Sequence, residues 1–129
     1  MINYGFYKEL NYSFGKTAKI IIPLIKKHKF SIVTQIDLKE KFAEKLGVEY
    51  GEYTILGLCN PSLAYQAITK EENIGLFLPC NMIVYEKGTK TAVAIMQPIE
   101  MMGMVENPGL AKIATQVEED LKALFDDIN

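Results

Sequence analysis

Two short stretches of this chain carry residue types that could do chemistry: Cys59-Asn60-Pro61 and Leu78-Pro79-Cys80-Asn81. They hold both cysteines of the sequence, each close to an asparagine and a proline. A thiolate is a nucleophile and a soft ligand, and a cysteine just before a helix start, as Cys59 is read to be, has its pKa lowered. The amides of Asn60 and Asn81 could polarise such a thiolate or hold the polar head of a small ligand. On this reading Cys80 is the reactive thiol of a redox enzyme or sensor, with Cys59 as its partner. The competing reading is packing, because a free cysteine behaves as a small hydrophobe and often ends in a core. A separation of 21 positions matches no redox or metal spacing. A lasting disulfide is disfavoured by cytosolic redox poise. Both readings stay open, and with them the question of catalysis.

Other candidates reduce to ordinary roles. His28, among Lys26, Lys27 and Lys29, falls at a helix C-terminus, where positive charge is favoured. Met96, Met101, Met102 and Met104 are soft thioethers that could suit copper(I), yet the one histidine is distant and methionine routinely fills irregular cores and interfaces. The acidic groups Glu71-Glu72, Glu118-Glu119-Asp120 and Asp126-Asp127 read as solvated helix faces. There is no phosphate-binding glycine loop, no nucleophile elbow and no histidine-centred base, which argues against hydrolase and kinase chemistry. No metal site and no cofactor are expected.

Composition narrows the partners. The 129 residues suit one domain, taken as 1–129, with 49% hydrophobic and 23% charged side chains. Net charge is −2 and all 14 basic residues are lysine. Without arginine the planar fork that reads phosphate and guanine is missing, so nucleic acid is not an expected partner. No apolar run approaches a membrane span and the N-terminus has no signal-peptide pattern, so a cytoplasmic protein is expected.

Which elements position these residues? Tyr4, Phe6, Lys8, Leu10, Tyr12 and Phe14 share one parity, predicting a strand within Asn3–Phe14. Ser13 can cap a helix over Lys16–Lys27, with a bend or break expected at Pro23. Phe30–Ile36 alternates as a second strand. Asp37 then caps a helix with Leu38, Phe42, Ala43 and Leu46 inward, ended by Gly47. Tyr53–Cys59 is a third strand, with Gly57 marking a bulge or a close approach. Asn60-Pro61 opens a short helix with Leu63, Ala64, Ala67 and Ile68 towards the core. Leu76–Tyr85 and Thr91–Gln97 form a hairpin about Glu86-Lys87-Gly88-Thr89. Ile99–Val105 is an apolar connector, and Pro108–Ile128 a long amphipathic helix.

That order predicts a two-layer α+β domain: a curved, mostly antiparallel five-stranded sheet, first and last helices on one face, small helices between strands. The other face is too apolar for water alone, so a ligand or a second subunit is expected. The apolar surface of hairpin and connector points to a two-fold homodimer.

Cys59-Asn60-Pro61 with Ala64, Gly75-Leu76-Phe77-Leu78-Pro79-Cys80-Asn81, and Val84-Tyr85-Glu86 resemble the domain-of-unknown-function 302 family of bacteria and archaea. The resemblance spans nearly the whole chain, from the Asn3–Leu10 strand through Met101-Met102 to Pro108. It implies a TATA-binding-protein-like β-α-β4-α fold and a homodimer. Two positions depart from the family's pattern: Pro23, and His28-Lys29, where the family often has glycine before the aromatic. The resemblance implies no reaction. The function expected is a non-catalytic module binding a small apolar or thiol-reactive molecule near Cys59, Asn60, Cys80 and Asn81, with thiol chemistry as the alternative.

Overall fold

A computed structural model describes residues 2–129. In chain order it contains β1 (Gly5–Leu10), α1 (Phe14–Lys27), β2 (Ser31–Asp37), α2 (Leu38–Leu46), β3 (Tyr53–Cys59) and α3 (Pro61–Lys70). A 3₁₀ segment (Glu72–Phe77) leads to β4 (Cys80–Lys87), β5 (Lys90–Met96) and α4 (Pro98–Met102). A 3₁₀ turn at Pro108–Leu110 then feeds α5 (Ala111–Asp127). The strands form one antiparallel sheet of order β1-β5-β4-β3-β2.

Strand parity decides what the helices cover. Phe6 pairs with Ile95, Val93 with Val84, Met82 with Leu56, and Leu58 with Cys80. These residues face α1 and α5 and join Ile21, Ile25, Ile113, Val117, Leu121 and Leu124 in one core. Lys8 shares this parity, which leaves a charge among hydrophobes. Its ammonium donates to the carbonyls of Phe125 and Ile128, at 2.7 and 2.6 Å, and lies 4.2 Å from the centre of the Phe125 ring. The cation thus satisfies the last carbonyls of α5 and ties the edge strand to that helix. Desolvation nevertheless lowers the Lys8 pKa.

Local signals account for most boundaries. Ser13 Oγ accepts from Lys16 N, Asp37 Oδ1 from Glu40 N, and Asn60 Oδ1 from Leu63 N, each capping its helix. Gly47 ends α2 at φ 63°. Gly57 marks a close approach: a Cβ there would come within 2.6 Å of Pro79 Cγ and would run into Thr34 Oγ1. The bulge lies opposite, in β2 between Ile32 and Thr34.

Several expectations are corrected. The first strand ends at Leu10, and Tyr12 leaves it to accept from the Thr91 hydroxyl at 2.8 Å through its carbonyl. α1 runs unbroken through Pro23, whose ring is exposed, so the Lys19 carbonyl freed of its partner lies on the watered side. The first hairpin arm begins at Cys80 rather than Leu76, because Glu72–Phe77 coils as a 3₁₀ segment ahead of a cis Leu78–Pro79 bond. α2 buries none of its residues, and Leu46 is 70% exposed. That helix is held by an edge-on contact of Phe42 with Tyr50 and by a Lys39–Glu52 ion pair of 3.1 Å. Ile68 also stays exposed, while Ala67 takes the core position of α3. Within the connector, Pro98–Met102 is helical.

His28 is half-buried and has a partner that the sequence did not show. Its Nε2 lies 2.9 Å from Asp127 Oδ2, which also meets Lys27 Nζ at 3.0 Å. These two partners, His28 first, lower the Asp127 pKa. The next residue, Lys29, is left-handed at φ 69°. A side chain there strains the backbone where glycine would not. Lys29→Gly is therefore expected to stabilise the fold by about 0.5–1 kcal/mol in chemical denaturation, the helix-to-strand turn being relieved.

Candidate functional site

The two cysteines come to the same end of neighbouring strands. Leu58 of β3 is the register partner of Cys80, the first residue of β4, and Cys59 follows Leu58. Cys80 has the parity of the helix-covered face and is buried; Cys59 has the opposite parity and is half-buried. Both thiols are free. They border a narrow hollow of about 30 Å³ beneath α3, with Asn60, Leu63, Ala67 and Met102 among its walls. A space of that size admits little more than one water-sized molecule.

The electrostatics of this hollow favour the neutral thiol. Burial, and secondarily the neighbouring Cys59, push the Cys80 thiol up to about 11. Asn60 already spends its side-chain oxygen on the Leu63 amide, as the cap of α3. Asn81 does not join the group: it pairs with Gly57 in β4 and is exposed on the face away from the helices. The structure thus gathers Cys59, Asn60 and Cys80 around one hollow and leaves Asn81 outside.

A larger hollow lies on the other side of Met102. It has a volume of about 490 Å³, between α4 with its following turn and the start of α5. Its apolar walls are Ile99, Met102, Val105, Leu110 and Ala114. Of the polar side chains at its border, Asn107 and Thr115 are spent internally, while the exposed Glu106 carboxylate stands at the rim. Asn107 donates to the Lys70 carbonyl and to Glu71 Oε1, and accepts from the Gly109 amide. Thr115 donates to the Ala111 carbonyl. Away from Glu106, what the walls offer an occupant is dispersion and apolar burial. Met102, 4% exposed, borders both hollows and is the wall between them. The apolar, methionine-rich connector was the sequence signal for this site. It gave no partner for Ile99 and Met102, because Ala111 and Ala114 reach them only through the fold.

Among the described residues no helix is long and apolar enough to cross a membrane, and no group of three or more His, Cys, Asp or Glu side chains is placed to hold a metal ion.

Comparisons with known proteins agree with this architecture. No curated protein matches the chain. A solved structure, described as the crystal structure of uncharacterized conserved protein DUF302 from Bacillus stearothermophilus, superposes with a TM-score of 0.90. It is 26% identical, and the match covers 99% of this chain and 100% of that one. The family model for the domain of unknown function DUF302 matches residues 6–128, and the chain belongs to that family.

Proposed function

We propose that this protein is a non-catalytic, homodimeric module that binds a small, neutral, apolar molecule. The observation that carries the reading is the 490 Å³ hollow between α4 and α5, whose bordering Asn107 and Thr115 are already hydrogen-bonded within the chain. Its volume falls in the range of small-molecule sites, about 300–1,000 Å³. The hollow at Cys59, Asn60 and Cys80 is the inner end of the same site, reached where the Met102 side chain gives way. Methionine suits that position, since its unbranched chain repacks at low cost. The alternative, a redox enzyme or sensor with Cys80 as reactive thiol, is less well supported, because burial keeps that thiol protonated at neutral pH.

The test is binding of N-phenyl-1-naphthylamine, a neutral fluorophore that brightens in apolar surroundings. Saturable brightening at a stoichiometry of one per chain is the expected result. Thr115→Trp places a ring on an exposed position at the mouth of the hollow and is expected to weaken binding about tenfold or more without loss of stability. Equal binding by wild type and variant, or no saturable binding at all, would remove the reading.

A further inference from the structure

We infer that the molecule held between α4 and α5 carries a hydrogen-bond donor, as an apolar alcohol or phenol does, and that Glu106 accepts from it. The inference rests on the proposed function and names the ligand chemistry which that site selects.

The walls of the hollow are apolar, so the few polar groups at its mouth decide between ligands of similar size. The donors there are already used. Asn107 Nδ2 donates to the Lys70 carbonyl at 2.9 Å and to Glu71 Oε1 at 3.0 Å, which accounts for both of its hydrogens. The Thr115 hydroxyl donates to the Ala111 carbonyl at 2.9 Å. The backbone is spent in the same way. The amides of Gly103, Val105, Asn107, Leu110 and Ala111 each donate to a nearby carbonyl. That of Ile99 donates to Glu118 Oε1 at 3.1 Å, and those of Met102, Ala114 and Thr115 lie within α4 and α5. Pro108 has no N–H to give. A ketone, an ester or a carboxylate therefore finds almost nothing to accept from.

Acceptors remain. Glu106 is the one ionisable side chain lining the hollow, and it is exposed at the rim. Its carboxylate has no hydrogen-bond or ion-pair partner among the described residues. The Glu106 amide is the single lining N–H with no bonded acceptor among the described residues. An acceptor reaching that amide would lie beside the carboxylate of the same residue and be repelled by it. Charge around the mouth has the same sign. The Glu71 and Glu118 carboxylates stand behind Asn107 and Ile99, whereas Lys70 and Lys112 do not line the hollow. An anionic head is thus disfavoured and a donor favoured.

A neutral donor suits the site better than an ammonium. The carboxylate would attract a cation, but the apolar walls beside it would strip part of the cation's hydration. An uncharged O–H loses less water and still makes a charge-assisted hydrogen bond, which is stronger than a bond between neutral groups.

The experiment is equilibrium dialysis of the full chain at pH 7 against three compounds of one ring system: 2-naphthol, 2-methoxynaphthalene and 2-naphthoate. The first has a neutral donor, the second has none, and the third is an anion. Naphthol is expected to bind about tenfold tighter than methoxynaphthalene although it is the more polar molecule, and naphthoate should bind weakest. In Glu106→Ala, an exposed change whose folding circular dichroism checks, naphthol and methoxynaphthalene should bind within about twofold of each other. Glu106→Gln keeps an accepting oxygen without the charge. It should retain part of the naphthol preference and bind naphthoate more tightly than wild type does. Naphthol no tighter than methoxynaphthalene, naphthoate tightest, or a preference that survives Glu106→Ala would overturn the inference and leave the binding reading in place. No saturable binding of any of the three would remove the binding reading and the inference with it.

Discussion

Leu121→Ala is expected to lower the unfolding free energy by about 2–5 kcal/mol, the range for emptying a fully buried leucine site. Leu121 is 0% exposed in the middle of α5, and that helix meets both α1 and the sheet. The neighbours that would have to collapse into the space, among them Ile21, Val93 and Leu124, are buried members of the same core and cannot close it freely. Urea unfolding followed by circular dichroism measures the change. A loss below about 1 kcal/mol is what exposed positions give, and it would show that α5 does not roof the core.

The second large effect concerns Cys80. With its thiol raised from 9.0 to about 11, its thiolate fraction at neutral pH falls about 100-fold below that of an unperturbed cysteine. Alkylation by iodoacetamide in the native protein is therefore expected to be about 100-fold slower at Cys80 than in the urea-unfolded chain. Peptide mass spectrometry separates it from Cys59. Native labelling at or above the unfolded rate would restore the reactive-thiol reading and count against a purely binding role. The same shift has a consequence for stability. The folded pKa lies above the unfolded one, so the contribution is whole below about pH 9 and is lost as pH rises through about 11. The loss amounts to roughly 2–3 kcal/mol, and Cys80→Ala should remove that share of the alkaline limb while leaving the part due to the Tyr7 and Tyr53 phenols, whose pKa values are also raised.

What could be read from the sequence was what is decided locally. Ser13, Asp37 and Asn60 cap helices because a side-chain oxygen reaches an amide three residues on, which needs no knowledge of the rest of the fold. The stripe of α5 is equally plain, since one periodicity governs 17 residues. Elements decided by distant contacts were misread. Leu76–Leu78 has the composition of a strand, yet β4 starts only at Cys80, where pairing with β3 begins, and β5 joins it from Met82. The α2 stripe looked like a core face, but none of its residues is buried: Leu38 and Phe42 are half-buried, and Ala43 and Leu46 are exposed. Pro23 suggested a broken helix because sequence does not reveal which side of α1 meets solvent.

The candidate site divides the same way. The motifs around Cys59 and Cys80 were rightly brought together, through the short α3 crossover between adjacent strands. Their faces were not legible, because a strand's parity relative to the helices depends on where the chain re-enters the sheet. Asn81 consequently points away from the hollow it was expected to line. The 490 Å³ hollow went unseen for a related reason, being made by residues of α4 and α5 that no single motif unites.

The most direct test of the account is methyl NMR of protein labelled at the methionine ε-carbons and titrated with a neutral apolar probe such as naphthalene. The methionines at 82, 96 and 102 report from separate places, with Met102 bordering both hollows, Met82 in the core and Met96 at the end of β5 opposite Gly5. A saturable shift centred on Met102, identified by Met102→Leu, with Met96 unmoved, is the predicted result. Shifts confined to Met96, or no saturable shift at any methionine while the probe is soluble, would contradict it.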